Sequence, residues 1–238
     1  MQEKTVSIIL PTYNEKENIA ILIPEIEALF QKKQLYQLKE IIVVDDYSPD
    51  GTALLCQELH KKYKNIVVLQ KQKQGIGAAL RYGYDHAHGD IILSMDSDLS
   101  FSVTDIPLLL EKIKQGNDLI LGCRHSVQGA GYETKQLGTQ IKGFISSFGN
   151  KLIPYMLNIS VHDFSANFRA IRKDVWHSLL TTEKTNLLLL EMVVKVHKKG
   201  YKISEVPVVF SERRFGVSKL NLFAESLRFA YRLLFFYW

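Results

Sequence analysis

From residue 5 to about residue 123 one pattern repeats: a short β-branched run, a polar cluster, then a stretch of helical length. The runs are "VSIIL", "EIIVVD", "NIVVLQ", "DIILSMD" and "DLILGC", and the spacing between them predicts helices over 15–31, 52–63, 77–88 and 104–115. Strands alternating with helices predict an α/β fold with a mostly parallel central sheet flanked by helices. Runs such as "IIVV" lack polar alternation, as strands covered on both faces require. In the first helix Ile19, Leu22, Ile23, Ile26 and Phe30 form the apolar stripe, with Asn14 placed to cap it and Glu17 three residues on. Pro24 predicts a kink or early break there, because proline lacks the N–H and crowds the preceding turn.

In open α/β sheets ligands bind beyond the carboxyl ends of the strands. The polar clusters fall there: "PTYNE" after the first strand, "DDYSPDGT" after the second, "KQKQGIG" after the third and "DSDLS" after the fourth. Such a rim suits a large, polar, anionic ligand. In extended backbone residues i and i+2 share a face, so Asp96 and Asp98 can converge on one point. Two carboxylates there repel each other and shift a pKa. A divalent cation, Mg²⁺ or Mn²⁺, resolves the repulsion, and Ser100 can add an oxygen. Asp45 and Asp46 form either a ligand-facing pair or an Asx turn leading into "SPDGT". Gly75 and Gly77 lack the third glycine of a dinucleotide fingerprint and read as a tight helix start beside that rim.

The ordered set "IILPTYNE", "IIVVDDYSPDGT", "GIGAAL", "MDSDLS", "LGCR" and "RRFGVSKL" resembles family 2 glycosyltransferases of the GT-A fold. Within them it looks like the dolichyl- or polyprenyl-phosphate mannosyltransferase branch, over about residues 5–222. The resemblance implies a nucleotide pocket of Pro11, Tyr13, Glu15, Val44, Asp45, Asp46, Asp96 and Ser97, and a metal and diphosphate site of Asp96, Asp98 and Ser100. It gives Arg124, Arg213 and Lys219 phosphate-neutralising roles beside the two carboxylates. An acceptor site would include Lys142, Asp163, Ser165 and Arg169, although Asp163 and Arg169 also read as a buried ion pair. Lys142 stands where relatives often carry arginine, and in "DFSANFRAIR" Ala166-Asn167 replaces a small residue followed by glycine. Residues 1–218 would form the catalytic domain, with a nucleotide-sugar half to about 124 and an acceptor half beyond it. The donor implied is GDP-mannose, with UDP-glucose or another hexose donor as the alternative.

A lipid phosphate acceptor needs no general base, since a monoester's second pKa lies near ~6. The scattered histidines, of which only His88, His125 and His162 lie near the site loops, fit that chemistry. A hydroxyl acceptor would need a base, with Glu191 or Asp163 the candidates; Glu191 lies among leucines and must be paired or functional. A silent nucleotide-binding scaffold is the third reading. Over 219–238, Asn221, Glu225, Arg228 and Arg232 make a narrow polar stripe on an otherwise leucine- and aromatic-rich helix, suited to a membrane interface or to docking in a dimer. No run reaches the roughly 18 apolar residues that span a bilayer. A net charge of +5 favours anionic partners without requiring nucleic acid. The expected setting is peripheral, on the cytoplasmic face of a membrane, with a membrane-anchoring subunit or a homodimer as partner, or the cytosol if the acceptor is soluble. Cys56 and Cys123 match no metal or redox spacing and read as reduced core thiols.

Overall fold

The computed structural model describes residues 4–32, 36–125, 129–133 and 159–216. Its strands are β1 (Thr5–Thr12), β2 (Gln37–Asp45), β3 (Ile66–Gln70), β4 (Ile91–Ser94), β5 (Leu119–Cys123), β6 (Gly131–Glu133), β7 (Arg169–Arg172), β8 (Ile203–Pro207) and β9 (Val209–Ser211). The helices are α1 (Lys16–Lys32), α2 (Thr52–Lys62), α3 (Ile76–Asp85), α4 (Ile106–Lys114), α5 (Lys173–Ser178) and α6 (Leu187–Lys198). Seven strands form one sheet in the order β3-β2-β1-β4-β7-β5-β8, and β6 pairs with β9 separately. All pairings in the large sheet are parallel except the two made by β7. The expected mostly parallel α/β architecture is therefore present.

Alternation along the strands explains why their runs are apolar throughout. Ile8 and Leu10 of β1 with Ile41 and Val43 of β2 face a core shared with α1 and α4. Their neighbours Ile9, Ile42 and Val44 face the opposite core, shared with α3, α5 and α6. Burying both faces favours apolar residues, and the polar ones that occur, such as Ser7, Glu40 and Ser94, are hydrogen-bonded. Cys56 and Cys123 are both buried and free, and burial pushes each thiol up to about 12.

Two local expectations need correction. First, α1 runs 17 residues straight through Pro24 without a break. Leu22, Ile23 and Ile26 anchor both sides of the proline, and the carbonyl it frees belongs to the exposed Ala20. Second, Asn14 does not cap α1. It sits at φ 58°, and its Oδ1 is buried without a partner among the described residues. Asp50 accepts from the Lys16 amide at 3.1 Å instead, and Thr52 Oγ1 accepts from Glu15 N at 3.2 Å. The glycines of "GIG" open a helix, as expected: Gly75 immediately precedes α3, and both glycines also permit a close packing contact. A Cβ on Gly77 would lie 2.0 Å from the Thr185 carbonyl oxygen, and Ala78 N donates to Lys184 O at 2.8 Å.

The packed loop is itself fastened by Glu191, which is fully buried on α6. Its carboxylate accepts from the amides of Thr182 and Glu183 at 2.9–3.1 Å and pairs with Lys195 Nζ at 2.7 Å. Glu191 is paired, as a buried charge must be.

The topology places the site. Strand order reverses between β1 and β4, and the crevice beyond their carboxyl ends is where ligands bind in such sheets. β7 is antiparallel to β4 and β5, with Arg169 at its start opposite Ser94 and Leu121. The loop leading into β7 therefore arrives at the same rim as the loops leaving β1 and β4.

Candidate functional site

β4 delivers Asp96 and Asp98 to that rim just after Met95 N makes its bond to Ile9 O at 3.3 Å. Asp96 Oδ1 accepts from Asn167 Nδ2 at 3.0 Å. Asp98 Oδ1 accepts from Ser100 N at 3.1 Å, and its Oδ2 meets the Arg213 guanidinium at 2.9 Å. Burial and then the charge of Asp98 push Asp96 up to about 7, against the pull of Asn167, Arg124 and Arg213. Ser100 Oγ is buried and has no hydrogen-bond partner among the described residues. Crowded carboxylates beside an unsatisfied hydroxyl oxygen fit a hard divalent cation. No group of three or more His, Cys, Asp or Glu side chains suited to a metal occurs among the described residues. The protein thus offers few ligands, as sites that share a cation with substrate phosphates do.

A strap comprising residues 211–216 crosses this loop. Ser211 N donates to Ser100 O at 2.9 Å, Arg214 N to Asp98 O at 3.3 Å, and Asn18 Nδ2 to Phe215 O at 3.4 Å. Glu15 Oε2 accepts from Asn18 at 2.6 Å, and its Oε1 lies 4.0 Å from Arg213. Asp96, Asp98, Ser100, Glu15 and Arg213 are thereby brought together from three distant stretches of chain.

The β1 and β2 ends divide into structural and available groups. Asp45 is fully buried and accepts from Thr12 Oγ1, Ser48 N, Ser48 Oγ and Gln70 Nε2, so its carboxylate holds the turn. Asp46 has fewer ties. Burial raises its pKa, and Lys71, at 3.5 Å, pulls it back. Tyr13 carries the Lys73 ammonium 3.6 Å from its ring centroid, a cation–π contact that fixes the ring at the rim. Ser97 Oγ donates to Pro11 O at 2.9 Å, tying the β1 and β4 loops. Val44 is fully buried in the core beneath, so its side chain lines no ligand surface.

On the β7 side, Arg124 grips Asp163 with Nε to Oδ2 at 2.7 Å and Nη2 to Oδ1 at 3.0 Å, and also donates to Ser165 Oγ at 2.7 Å. Asp163 is fully buried. Burial alone would raise its pKa, but the Arg124 charge and hydrogen bonds hold it at about 2. Arg169 takes backbone carbonyls as its hydrogen-bond partners, with the Asp163 charge acting on it besides. It is fully buried, donating to the carbonyls of Phe164 at 2.9 Å, Ala166 at 3.2 Å and Leu189 at 3.0 Å, and burial lowers its pKa to about 10. Its guanidinium sets the shape of the loop rather than facing the cleft. Lys142, Lys219 and the helix expected over 219–238 lie outside the described residues.

Two features escaped the sequence reading. His162 Nδ1 pairs with Glu205 Oε2 at 2.7 Å and His88 Nδ1 with Glu40 Oε2 at 3.2 Å, so histidine–carboxylate pairs do exist. Asn167 contacts Asp96 across 71 positions of sequence. An asparagine between Ala166 and Phe168 was the available signal, since a buried amide must find partners.

Comparison with known proteins agrees with this geometry. The family described as Glycosyl transferase family 2 matches residues 7–180. Dolichol-phosphate mannosyltransferase of Pyrococcus furiosus is 36% identical over 233 residues, which is 96% of this chain and 63% of that protein. The chain therefore spans less than two thirds of that relative. Polyprenol monophosphomannose synthase of Mycolicibacterium smegmatis is 29% identical over 222 residues, 90% of this chain and 80% of that one. Among solved structures, glucosyl-3-phosphoglycerate synthase from Mycobacterium tuberculosis, in complex with Mn²⁺, UDP and glucosyl-3-phosphoglycerate, superposes with a TM-score of 0.69 at 17% identity, covering 97% of this chain and 77% of that one. Mannosyl-3-phosphoglycerate synthase from Rubrobacter xylanophilus gives 0.65 at 19% identity, covering 97% and 72%. At such identities these structures establish the shared fold.

Proposed function

The chain belongs to glycosyl transferase family 2, and on that premise we propose that it moves a hexose, mannose from GDP-mannose, onto a polyprenyl or dolichyl phosphate. The names of its two curated relatives support this reading. The observation that carries it is the Asp96–Asp98 pair at the switch between β1 and β4, with Arg213 on Asp98 at 2.9 Å and an unsatisfied Ser100 Oγ beside it.

Asp96, Asp98 and Ser100 would hold Mg²⁺ or Mn²⁺, which when bound supplies positive charge to a diphosphate. Arg213 stands ready to share the charge that grows on the leaving diphosphate, a contribution worth most in a water-poor cleft. Asp46 and Tyr13 present a carboxylate acceptor and an aromatic face to the ribose and base, while Lys71 and Lys73 add cations at the same end. An acceptor phosphate oxygen attacks the anomeric carbon as the bond to the diphosphate breaks, and in-line geometry inverts that centre.

The choice of a phosphate acceptor is supported by the state of the two carboxylates once considered as bases. Asp163, held at about 2 by Arg124, is too weak a base, and Glu191 is consumed by Lys195 and two loop amides. One observation favours a hydroxyl acceptor instead: His162, oriented by Glu205 at 2.7 Å, has the arrangement of a general base. Transfer from GDP-mannose to a short-chain polyprenyl phosphate and to saccharides, with Mn²⁺, separates the readings. Product on the lipid phosphate, lost in Asp98→Ala and retained in His162→Ala, is the expected result. Product on the saccharide alone, lost in His162→Ala, would replace the lipid acceptor. The peripheral membrane setting proposed with this activity rests on the stripe of residues 219–238.

A further inference from the structure

We propose that Asn167 is the positioning residue for Asp96, the end of a buried hydrogen-bond line that starts at Tyr84 and fixes one oxygen of the carboxylate. The proposal rests on reading Asp96 and Asp98 as the cation- and diphosphate-binding pair. Tyr84 and Ser94 are fully buried and Asn167 is 3% exposed. Tyr84 Oη lies 2.9 Å from Ser94 Oγ, Ser94 Oγ 2.7 Å from Asn167 Oδ1, and Asn167 Nδ2 3.0 Å from Asp96 Oδ1.

The line has one direction. Ser94 has a single proton and gives it to the Asn167 carbonyl, so Tyr84 must be the donor to Ser94. The asparagine NH₂ then faces the carboxyl group, which in its ionised, cation-binding form can only accept. Neither end of this line is free to drift. Tyr84 stacks on Trp176 at 4.6 Å, and Trp176 Nε1 donates to Asp85 at 2.9 Å. The backbone around Asn167 is clamped by Arg169 on the Phe164 and Ala166 carbonyls and by Gly122 N on Phe168 O at 2.7 Å.

The consequence is specific. Asp98 repels Asp96, and a lone carboxylate would rotate away from it. The amide holds Oδ1, and among the described residues Oδ2 takes no hydrogen bond, so the second oxygen is the one presented to a cation. Groups that orient a metal-binding side chain in this manner typically change metal affinity about 10- to 100-fold when lost.

The test is Mn²⁺ titration by electron paramagnetic resonance on the full chain with GDP, using wild type, Asn167→Gly, Asn167→Leu, Ser94→Ala and Val6→Ala. Melting of each variant is followed in parallel. Asn167→Gly and Asn167→Leu should weaken Mn²⁺ binding about 10-fold or more, and Ser94→Ala should weaken it less. Val6→Ala, a core truncation at the end of β1 away from the rim, should lower the melting temperature while leaving Mn²⁺ affinity within about twofold of wild type, which separates positioning from stability. Should one asparagine variant fail to fold, the other and Ser94→Ala carry the comparison. Mn²⁺ affinity unchanged in the folded variants, with wild type binding, overturns the role of Asn167 alone. A wild type that binds GDP but no Mn²⁺ overturns this role and the cation reading together.

Discussion

Asp163 shows how a buried ion pair can be expected from sequence while its partner is not. Its place in "DFSANFR" marked it, but nothing local indicated that Arg124, 39 positions earlier, closes on it with both ends of the guanidinium. The pairing has a measurable signature. Its folded pKa of about 2 lies below the ordinary 3.8, so the pair contributes fully above that value and is lost as pH falls from about 4 toward 2. The linked contribution is about 2 kcal/mol. Asp163→Asn should therefore lower stability at neutral pH, and the difference from wild type should shrink across that acid window. Denaturant unfolding at pH 7, 4 and 2 measures it; a gap that stays constant with pH would mean the carboxylate is not ionised against Arg124. The two rim aspartates were legible for a different reason: their spacing on one strand end is a local fact, whereas their partners Asn167 and Arg213 reach them only through the tertiary fold.

Elements were read well where packing follows sequence period and poorly where a neighbouring element decides. The strands and helices up to β5 follow from apolar runs, but α1 ignores Pro24 because burial on both sides outweighs one lost hydrogen bond. The antiparallel β7 was not legible at all. "RAIR" is four residues whose place between β4 and β5 is set by the sheet and not by its own pattern. The start of α3 makes the same point quantitatively. Gly77→Ala would drive a methyl to 2.0 Å from a backbone oxygen that cannot swing aside, and should cost about 3 kcal/mol or prevent folding. The contacting loop is anchored by Glu191, so Glu191→Gln, which loses the Lys195 ion pair, should destabilise the protein by about 2 kcal/mol while leaving α3 intact. Thermal unfolding of the two variants tests both. A Gly77→Ala protein as stable as wild type would show that the loop yields, and an unaffected Glu191→Gln would show that Lys195 adds nothing.

At the scale of the whole molecule the site exists only because three parts of the chain meet. The β4 end supplies Asp96 and Asp98, the β7 approach supplies Asn167, and the strap over 211–216 supplies Arg213. The strap leaves the end of β9, its ties include the aspartate loop, Glu15, α1 and, through Ser211, strand β6, and Arg214 beside it is exposed. In the proposed reading, a ligand carrying a cation and a diphosphate would give Arg213 a second anionic partner and so favour the closed strap. Ligand at 100 times its dissociation constant favours the closed form by about 2.7 kcal/mol, and cleavage that requires local opening falls in proportion. Trypsin should therefore cut after Arg213 or Arg214 at least about 10-fold more slowly with Mn²⁺ and GDP than without them. Mass spectrometry of timed digests locates the cuts, and cleavage elsewhere serves as the internal reference. If binding is demonstrated and cleavage at these two arginines keeps its rate, Arg213 meets Asp98 as a resting ion pair only and plays no part in holding the donor.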